Sequence, residues 1–250
     1  MKAMILAAGI GSRLKPLTDN TPKALVKVGP YRMLDLTLSY LQKHGVNEFI
    51  INVHHLADQI MEYVADKRWQ GIKIHLSDET NELMNTGGGL MKASEFLNAE
   101  DNFVLMAVDI LTDLDLSKMI AAHIQSGALV TLAVKNRQTS RALLFDAKNN
   151  LAGWEHSESG MQKLVPGRTF IRGFGFSGIH VIQSSIFDSV VEKGAFSIVD
   201  LYLRLAEKHD IKMFDHSDGK WMEFGRAERI KTQAESKDFN YLTKHLGLQE

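Results

Sequence analysis

The first residues that could do chemistry stand in a glycine-containing segment close to the start of the chain. Gly9 and Gly11 follow a short apolar run, and two cations, Arg13 and Lys23, come after them. Glycine lets the backbone approach a ligand closely, and successive free N–H groups can form a concave site for an anion. The segment therefore predicts a phosphate-binding loop in which the two cations neutralise different phosphates.

Two common phosphate loops do not match this segment. A dinucleotide loop requires G-x-G-x-x-G, and Leu14 stands where the third glycine belongs. A P-loop requires G-x-x-x-x-G-K-[ST], and no lysine follows a glycine at that spacing. A flexible turn between a strand and a helix would also explain Gly9 and Gly11. The cations Arg13 and Lys23 favour a triphosphate site over such a turn.

The elements of the first half must position this loop. Short apolar runs predict strands at residues 3–8, 49–53, 72–76 and 103–107. Helical periodicity predicts one helix from the spacing of Leu34, Leu38 and Leu41, ended by Gly45. Further helices are predicted around residues 60–64 and over residues 89–97. This alternation indicates an α/β fold with a parallel sheet that helices cover on both faces.

The pattern changes after residue 128. Strands with shorter connections are predicted at residues 129–134, 142–145, 151–154 and 173–182, some of them antiparallel. An apolar stripe at Ile198, Leu201, Tyr202 and Leu205 predicts a helix, and a final helix is expected after Arg226. No repeat or flexible linker interrupts the sequence, so a single domain over residues 1–250 is the simpler expectation.

Composition excludes several classes of function. The 250 residues are 44% hydrophobic and 24% charged, with a formal net charge of -1. A nearly neutral chain argues against a nucleic-acid partner, because binding to nucleic acid calls for a concentrated basic surface. The absence of cysteine excludes disulfides, thiolate metal sites and cysteine nucleophiles. No apolar run approaches the roughly 20 residues of a membrane span, so we expect a cytoplasmic protein without a membrane partner. The oligomeric state is not predicted.

The run L-A-A-G-x-G-S-R-L-x-P-L-T-x-x-x-P-K, at residues 6–23, closely resembles the N-terminal signature of sugar-1-phosphate nucleotidyltransferases. These enzymes combine a nucleoside triphosphate with a sugar 1-phosphate and release pyrophosphate. The resemblance implies a Rossmann-like three-layer α/β/α fold with a mainly parallel mixed central sheet. It assigns nucleotide binding to residues 1–128 and sugar-phosphate binding to residues 129–250. The chain most resembles short members grouped with mannose-1-phosphate guanylyltransferases and N-acetylmuramate-1-phosphate uridylyltransferases, without a C-terminal left-handed β-helix.

The resemblance also assigns roles to individual residues. T-G-G-G at residues 86–89 looks like the second glycine loop of the family, and Asp109 ends a strand similar to the one that carries its metal-binding aspartate. W-M-E-F-G at residues 221–225 stands where the family carries W-x-D-x-G, so Glu223 is the second expected metal ligand. Sugar contacts are implied for Gly178 and Asp200. Nucleotide contacts are implied for Leu6, Ala7, Ala8, Gly9, Gly11, Ser12, Arg13, Glu82, Thr86, Gly87 and Gly88.

The implied reaction is attack of a sugar-phosphate oxygen on the α-phosphorus. Phosphate has a second pKa near ~6, so the nucleophile is already ionised and needs no general base. Catalysis must instead overcome repulsion between two polyanions by positioning and charge neutralisation. Asp109 and Glu223 would bind Mg²⁺, with Mn²⁺ as the alternative cation. Arg13 would hold the leaving pyrophosphate, and Lys23, also a substrate contact, would stabilise the α-phosphate or the incoming sugar phosphate.

Three positions depart from the family pattern. Ala107 and Val108 precede Asp109 where relatives commonly carry N-x-D or G-D, Glu223 replaces an aspartate, and Ser197 stands where several relatives carry a lysine. These departures motivate an alternative function, a catalytically weakened homologue that binds nucleotide or nucleotide sugar and regulates a partner. A phosphocholine cytidylyltransferase is a second alternative, because some of those enzymes share the opening signature.

Other candidate ligands have plainer explanations. Asp113 and Asp115 are expected in a turn or at the start of a helix. The adjacent His54 and His55 are expected at a strand end, because neighbouring strand residues face opposite ways.

Overall fold

The computed structural model describes residues 1–66 and 71–248. Its strands are β1 (Lys2–Leu6), β2 (Lys27–Val28), β3 (Tyr31–Arg32), β4 (Glu48–Val53), β5 (Lys73–Asp78), β6 (Asn102–Ala107), β7 (Ile110–Thr112), β8 (Val130–Lys135), β9 (Arg141–Phe145), β10 (Leu151–His156), β11 (Met161–Leu164), β12 (Arg172–Gln183), β13 (Ile211–Asp215) and β14 (Trp221–Glu223). Its α-helices are α1 (Met33–Lys43), α2 (Ala57–Asp66), α3 (Asn85–Lys92), α4 (Ser94–Leu97), α5 (Leu116–Ser126), α6 (Ile198–Leu205), α7 (Ala227–Ala234) and α8 (Lys237–His245).

One mixed sheet of ten strands carries the fold. Its main path is β11-β10-β9-β12-β6-β1-β4-β5, and β8 pairs with β12 and β13 beside that path. The strands β6, β1, β4 and β5 are parallel, as the alternation of the first half predicts. Strand β12 then runs antiparallel to β6, β8 and β9, which continues the sheet through the second half of the chain.

Both faces of the parallel strands are buried. In β1, Ala3 and Ile5 pack into a core with residues of α1 and α2, while Met4 points into a second core with residues of α3 and α6. Strands enclosed on both faces are apolar at nearly every position, which is why these segments lack alternation with polar residues. Within the part of the chain that the structure describes, no helix combines the length and hydropathy needed to cross a bilayer.

Several predicted boundaries are wrong. Strand β1 ends at Leu6, because the N–H groups of Ala7 and Ala8 donate to the Asn52 side chain rather than to a neighbouring strand. The helix predicted over residues 89–97 begins earlier, at Asn85, and is interrupted between α3 and α4. The final helix is two helices, separated where the hydroxyl of Ser236 accepts the Phe239 N–H and caps α8.

Candidate active site

The site lies where three parallel strands end. Leu6 of β1 is in register with Asn52 of β4 on one side and Ala107 of β6 on the other. Parallel strands place their carboxyl ends at one edge of a sheet, where open α/β sheets bind their ligands. Asp109 stands at this edge, two residues after Ala107, the last residue of β6, and its side chain is buried, with 6% exposure.

A short antiparallel ribbon brings the second carboxylate to the same place. Strands β7 and β14 pair with Glu223 opposite Ile110, which is the neighbour of Asp109. The Phe224 N–H also donates to the Asp109 carbonyl oxygen at 2.9 Å, so the end of β14 is fixed to the end of β6. Residues more than a hundred positions apart are therefore held side by side.

Gly225 defines the centre of this cluster. A Cβ atom placed on Gly225 would lie 3.2 Å from Glu223 Oε1, 3.3 Å from Arg13 Nη2 and 3.4 Å from Asp109 Oδ2. Arg13 Nη2 is itself 3.9 Å from Glu223 Oε1. Two carboxylate oxygens and one guanidinium thus surround a space that any larger residue at position 225 would fill.

Lys23 completes the cluster from the N-terminal segment. Its Nζ donates to Asp109 Oδ2 at 2.6 Å, and both side chains are largely buried. Lys23 starts a short 3₁₀ helix, Lys23–Leu25, that follows the extended backbone of Pro22. All four residues expected to act on phosphate or metal, Arg13, Lys23, Asp109 and Glu223, therefore meet at one point.

The donor set suits a hard divalent cation. The space beside Gly225 presents two carboxylate oxygens, and among the described residues no group of three or more His, Asp or Glu side chains is arranged to hold a metal ion. Mg²⁺ usually takes one or two protein carboxylates and completes its coordination with phosphate and water. Asp109 and Glu223 meet this requirement, provided that Lys23 gives up its contact with Asp109.

The two glycines of the first loop have different surroundings. No heavy atom lies within 4 Å of the Cβ position of Gly9, so its open side can face a ligand. Gly11 has a positive φ of 69°, and a Cβ there would stand 2.9 Å from Thr18 Cγ2. Its carbonyl oxygen accepts from Thr18 Oγ1 at 2.9 Å and from the Leu14 N–H at 2.8 Å, which shapes the turn Ser12–Leu14.

A buried polar network supports the start of this loop. Asn52 Oδ1 accepts from the N–H groups of Ala7 at 2.7 Å and Ala8 at 3.3 Å. Asn52 Nδ2 in turn donates to Glu79 Oε1 at 2.7 Å, and Glu79 is fully buried. Sequence reasoning missed both residues, although each is a polar residue at or just after the end of a parallel strand, which is the signal that identified Asp109.

The second glycine segment is a helix, not the loop that the resemblance implies. Thr86, Gly87 and Gly88 lie in α3. A Cβ on Gly87 would stand 2.3 Å from the Phe196 ring, and one on Gly88 would stand 2.3 Å from the Gly194 carbonyl oxygen. These glycines allow the chain before α6 to pack against the helix.

Hydrogen bonds fix the same contact. The Gly87 N–H donates to the Phe196 carbonyl oxygen at 2.9 Å, and Thr86 Oγ1 accepts the Ile198 N–H at 3.0 Å. Glu82 is exposed, and the buried carboxylate of this region belongs to Glu79. Nucleotide contacts by Glu82, Thr86, Gly87 and Gly88 stay predictions.

The two expected sugar contacts lie in different places. Gly178 has a φ of +77°, and its Cβ position is 3.4 Å from Ala107 Cβ and 3.2 Å from Ile110 Cγ1, next to the Asp109 cluster. Asp200, in the first turn of α6, instead pairs with Lys163 at 2.5 Å. No hydrogen bond or ion pair joins Asp200 to the cluster among the residues described.

The remaining candidates have structural partners. Asp115 caps α5 by accepting the Lys118 N–H, and Asp113 accepts the Lys220 N–H at 2.7 Å. His54 follows the end of β4, and its Nδ1 lies 2.7 Å from the Glu79 carbonyl oxygen.

A sheet that brings two carboxylates and two cations together at the carboxyl ends of its parallel strands is typical of α/β enzymes that act on phosphate groups. The family described as Nucleotidyl transferase matches residues 2–143, which is more than half of the chain. The chain belongs to this family.

Individual relatives agree with that assignment. The chain is 30% identical over 241 residues to an N-acetylmuramate alpha-1-phosphate uridylyltransferase of Neisseria meningitidis, covering 92% of this chain and 96% of that protein. It is 36% identical over 144 residues to a UTP–glucose-1-phosphate uridylyltransferase of Synechocystis, a match that covers 54% of this chain but only 37% of the relative. A UDP-glucose pyrophosphorylase of Acinetobacter superposes with a TM-score of 0.78 at 15% identity, covering 98% and 94% of the two chains.

These findings confirm the expected fold and the expectation of a sugar-1-phosphate nucleotidyltransferase enzyme. Neither a regulatory binding protein nor a phosphocholine cytidylyltransferase gains support from them.

Proposed function

We propose that this enzyme transfers the uridylyl group of UTP to the 1-phosphate of an N-acetylmuramate-type sugar, with Mg²⁺ bound by Asp109 and Glu223. The convergence of Asp109, Glu223 and Arg13 around Gly225 carries the catalytic part of the proposal. The choice of uridylyl and of the acidic amino sugar is supported by similarity to the Neisseria uridylyltransferase, which extends over nearly the whole of both chains.

Each residue of the cluster has a distinct task in this reaction. A bound divalent cation would supply charge neutralisation at the α-phosphate. Arg13, whose side chain is 60% exposed, can hold the pyrophosphate as negative charge develops on it. Lys23 has a compact ammonium on a flexible stem, so it can move from Asp109 to a phosphate oxygen.

The main chain of the first loop orders the nucleotide. Asn52 holds the N–H groups of Ala7 and Ala8, and the open side of Gly9 lets phosphates or ribose approach the backbone. No step requires a general base, because the acceptor phosphate is already ionised at neutral pH.

Pyrophosphate release tests the proposal. The four nucleoside triphosphates are each combined with N-acetylmuramate 1-phosphate, glucose 1-phosphate and mannose 1-phosphate, with Mg²⁺ or Mn²⁺. We expect the highest kcat/KM for UTP with N-acetylmuramate 1-phosphate and no release without a divalent cation. Preference for another pair would overturn the choice of substrates, and cation-independent release would overturn the metal site.

A further inference from the structure

The reaction joins two polyanions, whereas the cluster described above holds cations from only one half of the chain. Arg13 and Lys23 both belong to the N-terminal segment that faces the triphosphate. An acceptor phosphate that approaches the α-phosphorus needs a counter-charge of its own. In the second half of the chain, the guanidinium of Arg137 lies close enough to Glu223 for an electrostatic interaction.

Arg137 is held at the edge of the site by two contacts. It follows β8, and its Nη2 donates to the Phe176 carbonyl oxygen of β12 at 3.0 Å. Its guanidinium carbon lies 4.4 Å from the centroid of the Trp221 ring, at the distance of a cation–π contact. Trp221 is itself held by a hydrogen bond from Nε1 to the Ser177 carbonyl oxygen at 3.0 Å.

The geometry of β14 places the Arg137 guanidinium on the same side as Glu223, one of the two expected metal ligands. Trp221 and Glu223 are two positions apart on β14, so their side chains leave the same face of the strand. The Arg137 guanidinium on Trp221 therefore lies on the face from which Glu223 projects. Burial lowers the pKa of Arg137, and the nearby Glu223 carboxylate acts in the opposite direction.

The Arg137 guanidinium has N–H donors that are not used in hydrogen bonds to the described residues. Arginine carries five N–H donors, and one of those on Nη2 is bonded to Phe176. Nε is buried against Gly175 without a hydrogen-bond partner. Over residues 1–66 and 71–248, no carboxylate oxygen lies within 4 Å of the Arg137 nitrogens.

Neighbouring side chains are engaged elsewhere. Lys135 Nζ donates to the carbonyl oxygens of Ser217 and Gly219. Arg226, which follows Gly225, is mostly exposed and lies 3.8 Å from Glu228. Ser197 accepts the Val199 N–H and caps α6. Lys135 and Arg226 are thus each paired with other groups, and Ser197 carries no charge.

We infer that Arg137 binds the phosphate of the acceptor sugar 1-phosphate, with Trp221 as the platform that holds its guanidinium in place. This inference rests on the proposed function, since it requires an anionic acceptor next to Glu223. Arg137 is then a substrate-binding residue from the second half of the chain, and it complements the triphosphate cations of the first half.

Kinetics of Arg137→Gln and Arg137→Lys test the inference, with Arg172→Gln as the matched control. Arg172 is also stacked on an aromatic ring, 5.2 Å from the Phe174 centroid, but it is exposed and bonded to Asn149. Loss of a charged hydrogen bond to phosphate should raise the KM of the acceptor about 10- to 100-fold in Arg137→Gln. The KM of the nucleotide and the thermal midpoint should stay constant, Arg137→Lys should recover part of the affinity, and Arg172→Gln should match the wild type.

Inorganic phosphate identifies the group that is bound. As a competitor of the acceptor, it should lose affinity in Arg137→Gln by the same factor. An unchanged phosphate affinity would mean that Arg137 contacts another part of the sugar, such as a carboxylate, and would overturn the inference. A common change in both KM values and in the thermal midpoint would assign Arg137 a packing role and would also overturn it.

Calorimetry distinguishes failure of the Arg137 inference from failure of the proposed function. If no substrate pair releases pyrophosphate, glucose 1-phosphate and inorganic phosphate are titrated directly into wild type and Arg137→Gln. Binding that the variant loses supports the phosphate contact without any turnover. Equal binding, or no binding by the wild type, overturns it.

Discussion

Lys23 Nζ lies 2.6 Å from Asp109 Oδ2, so the expected metal ligand is paired with the expected phosphate-binding cation. The two side chains are 18% and 6% exposed, and each therefore avoids an uncompensated charge in a poorly solvated place. A divalent cation arriving with the triphosphate would replace Lys23 at Asp109 and leave its ammonium free for phosphate. In the proposed reaction Lys23 would therefore pair with Asp109 before substrate binds and with a phosphate oxygen afterwards.

Replacement of Lys23 tests both halves of this role. Lys23→Met removes the phosphate contact and leaves Asp109 without its partner. We expect kcat to fall roughly 100-fold or more, and the free energy of unfolding to fall by about 1–3 kcal/mol. Steady-state kinetics and urea unfolding measure the two effects. Lys118→Met, at an exposed lysine paired with Asp115, should change neither. Normal turnover in Lys23→Met would remove Lys23 from the reaction.

Substitutions of Gly9 and Gly87 by alanine distinguish a glycine that leaves room for a ligand from a glycine that is needed for packing. Gly9→Ala places a methyl group where no heavy atom lies within 4 Å, so stability should change by less than about 0.5 kcal/mol while the KM of the nucleotide rises. Gly87→Ala forces a methyl group to within 2.3 Å of the Phe196 ring and should cost about 1–3 kcal/mol of stability. Thermal unfolding measures the stability of the two variants, and nucleotide titration measures their affinity for the nucleotide. The opposite pattern would contradict the surroundings assigned to Gly9 and Gly87.

The longer carboxylate at position 223 has a measurable consequence. Glu223→Asp restores the residue that the family pattern carries and keeps the charge beside Arg13. We expect turnover to be unchanged or raised, measured as kcat in Mg²⁺ and in Mn²⁺. Glu228→Asp, at an exposed glutamate near Arg226, is the control for a shortened side chain. Complete loss of activity in Glu223→Asp would show that the site is built around glutamate.

Buried histidines make stability depend on pH. Burial lowers the pKa of His123 to about 4, that of His180 to about 3 and that of His216 to about 4. The unfolded chain binds protons to these groups below about pH 6.5, whereas the folded chain does not. Stability is therefore complete above pH 6.5 and declines toward pH 4, by about 1.4 kcal/mol per pH unit for each group within that window.

His123→Gln isolates one of these groups. His123 bonds to Thr131 and Asn102, and glutamine can retain a hydrogen bond there without a titrating ring. Urea unfolding between pH 4 and pH 7 should show a slope reduced by about one proton. Substitution of the exposed His245 should leave the slope unchanged. An unaltered slope in His123→Gln would mean that His123 is protonated in the folded protein.

Sequence reasoning selected Arg13, Lys23 and Asp109, which the fold brings together, because each of them follows a local rule. Asp109 stands two residues after a buried strand, and Arg13 and Lys23 stand in a segment that resembles the family signature at many positions. Parallel strands bring such residues to one edge whatever their separation in the chain. The parallel strands of the first half were predictable because short apolar runs alternate with segments of helical periodicity along the sequence.

Contacts between distant short segments could not be predicted. Strands β7 and β14 have three residues each, too few to show a period, yet their pairing places Glu223 beside Asp109. The packing of Gly87 against Phe196 likewise depends on a contact more than a hundred residues away. Sequence reasoning chose Glu82 as a nucleotide contact; the buried glutamate of this region is Glu79, whose hydrogen bond from Asn52 joins positions 27 residues apart and leaves no local signal.

The most direct measurement is pyrophosphate release by Asp109→Asn beside wild type, with UTP, N-acetylmuramate 1-phosphate and Mg²⁺. Asp238→Asn, at an exposed aspartate paired with Lys220, serves as the control. The account predicts a loss of at least about 100-fold in kcat for Asp109→Asn, with a folded protein by circular dichroism and a control that equals wild type. Release by Asp109→Asn at the wild-type rate would contradict the assignment of Asp109, Glu223 and Arg13 as the catalytic centre.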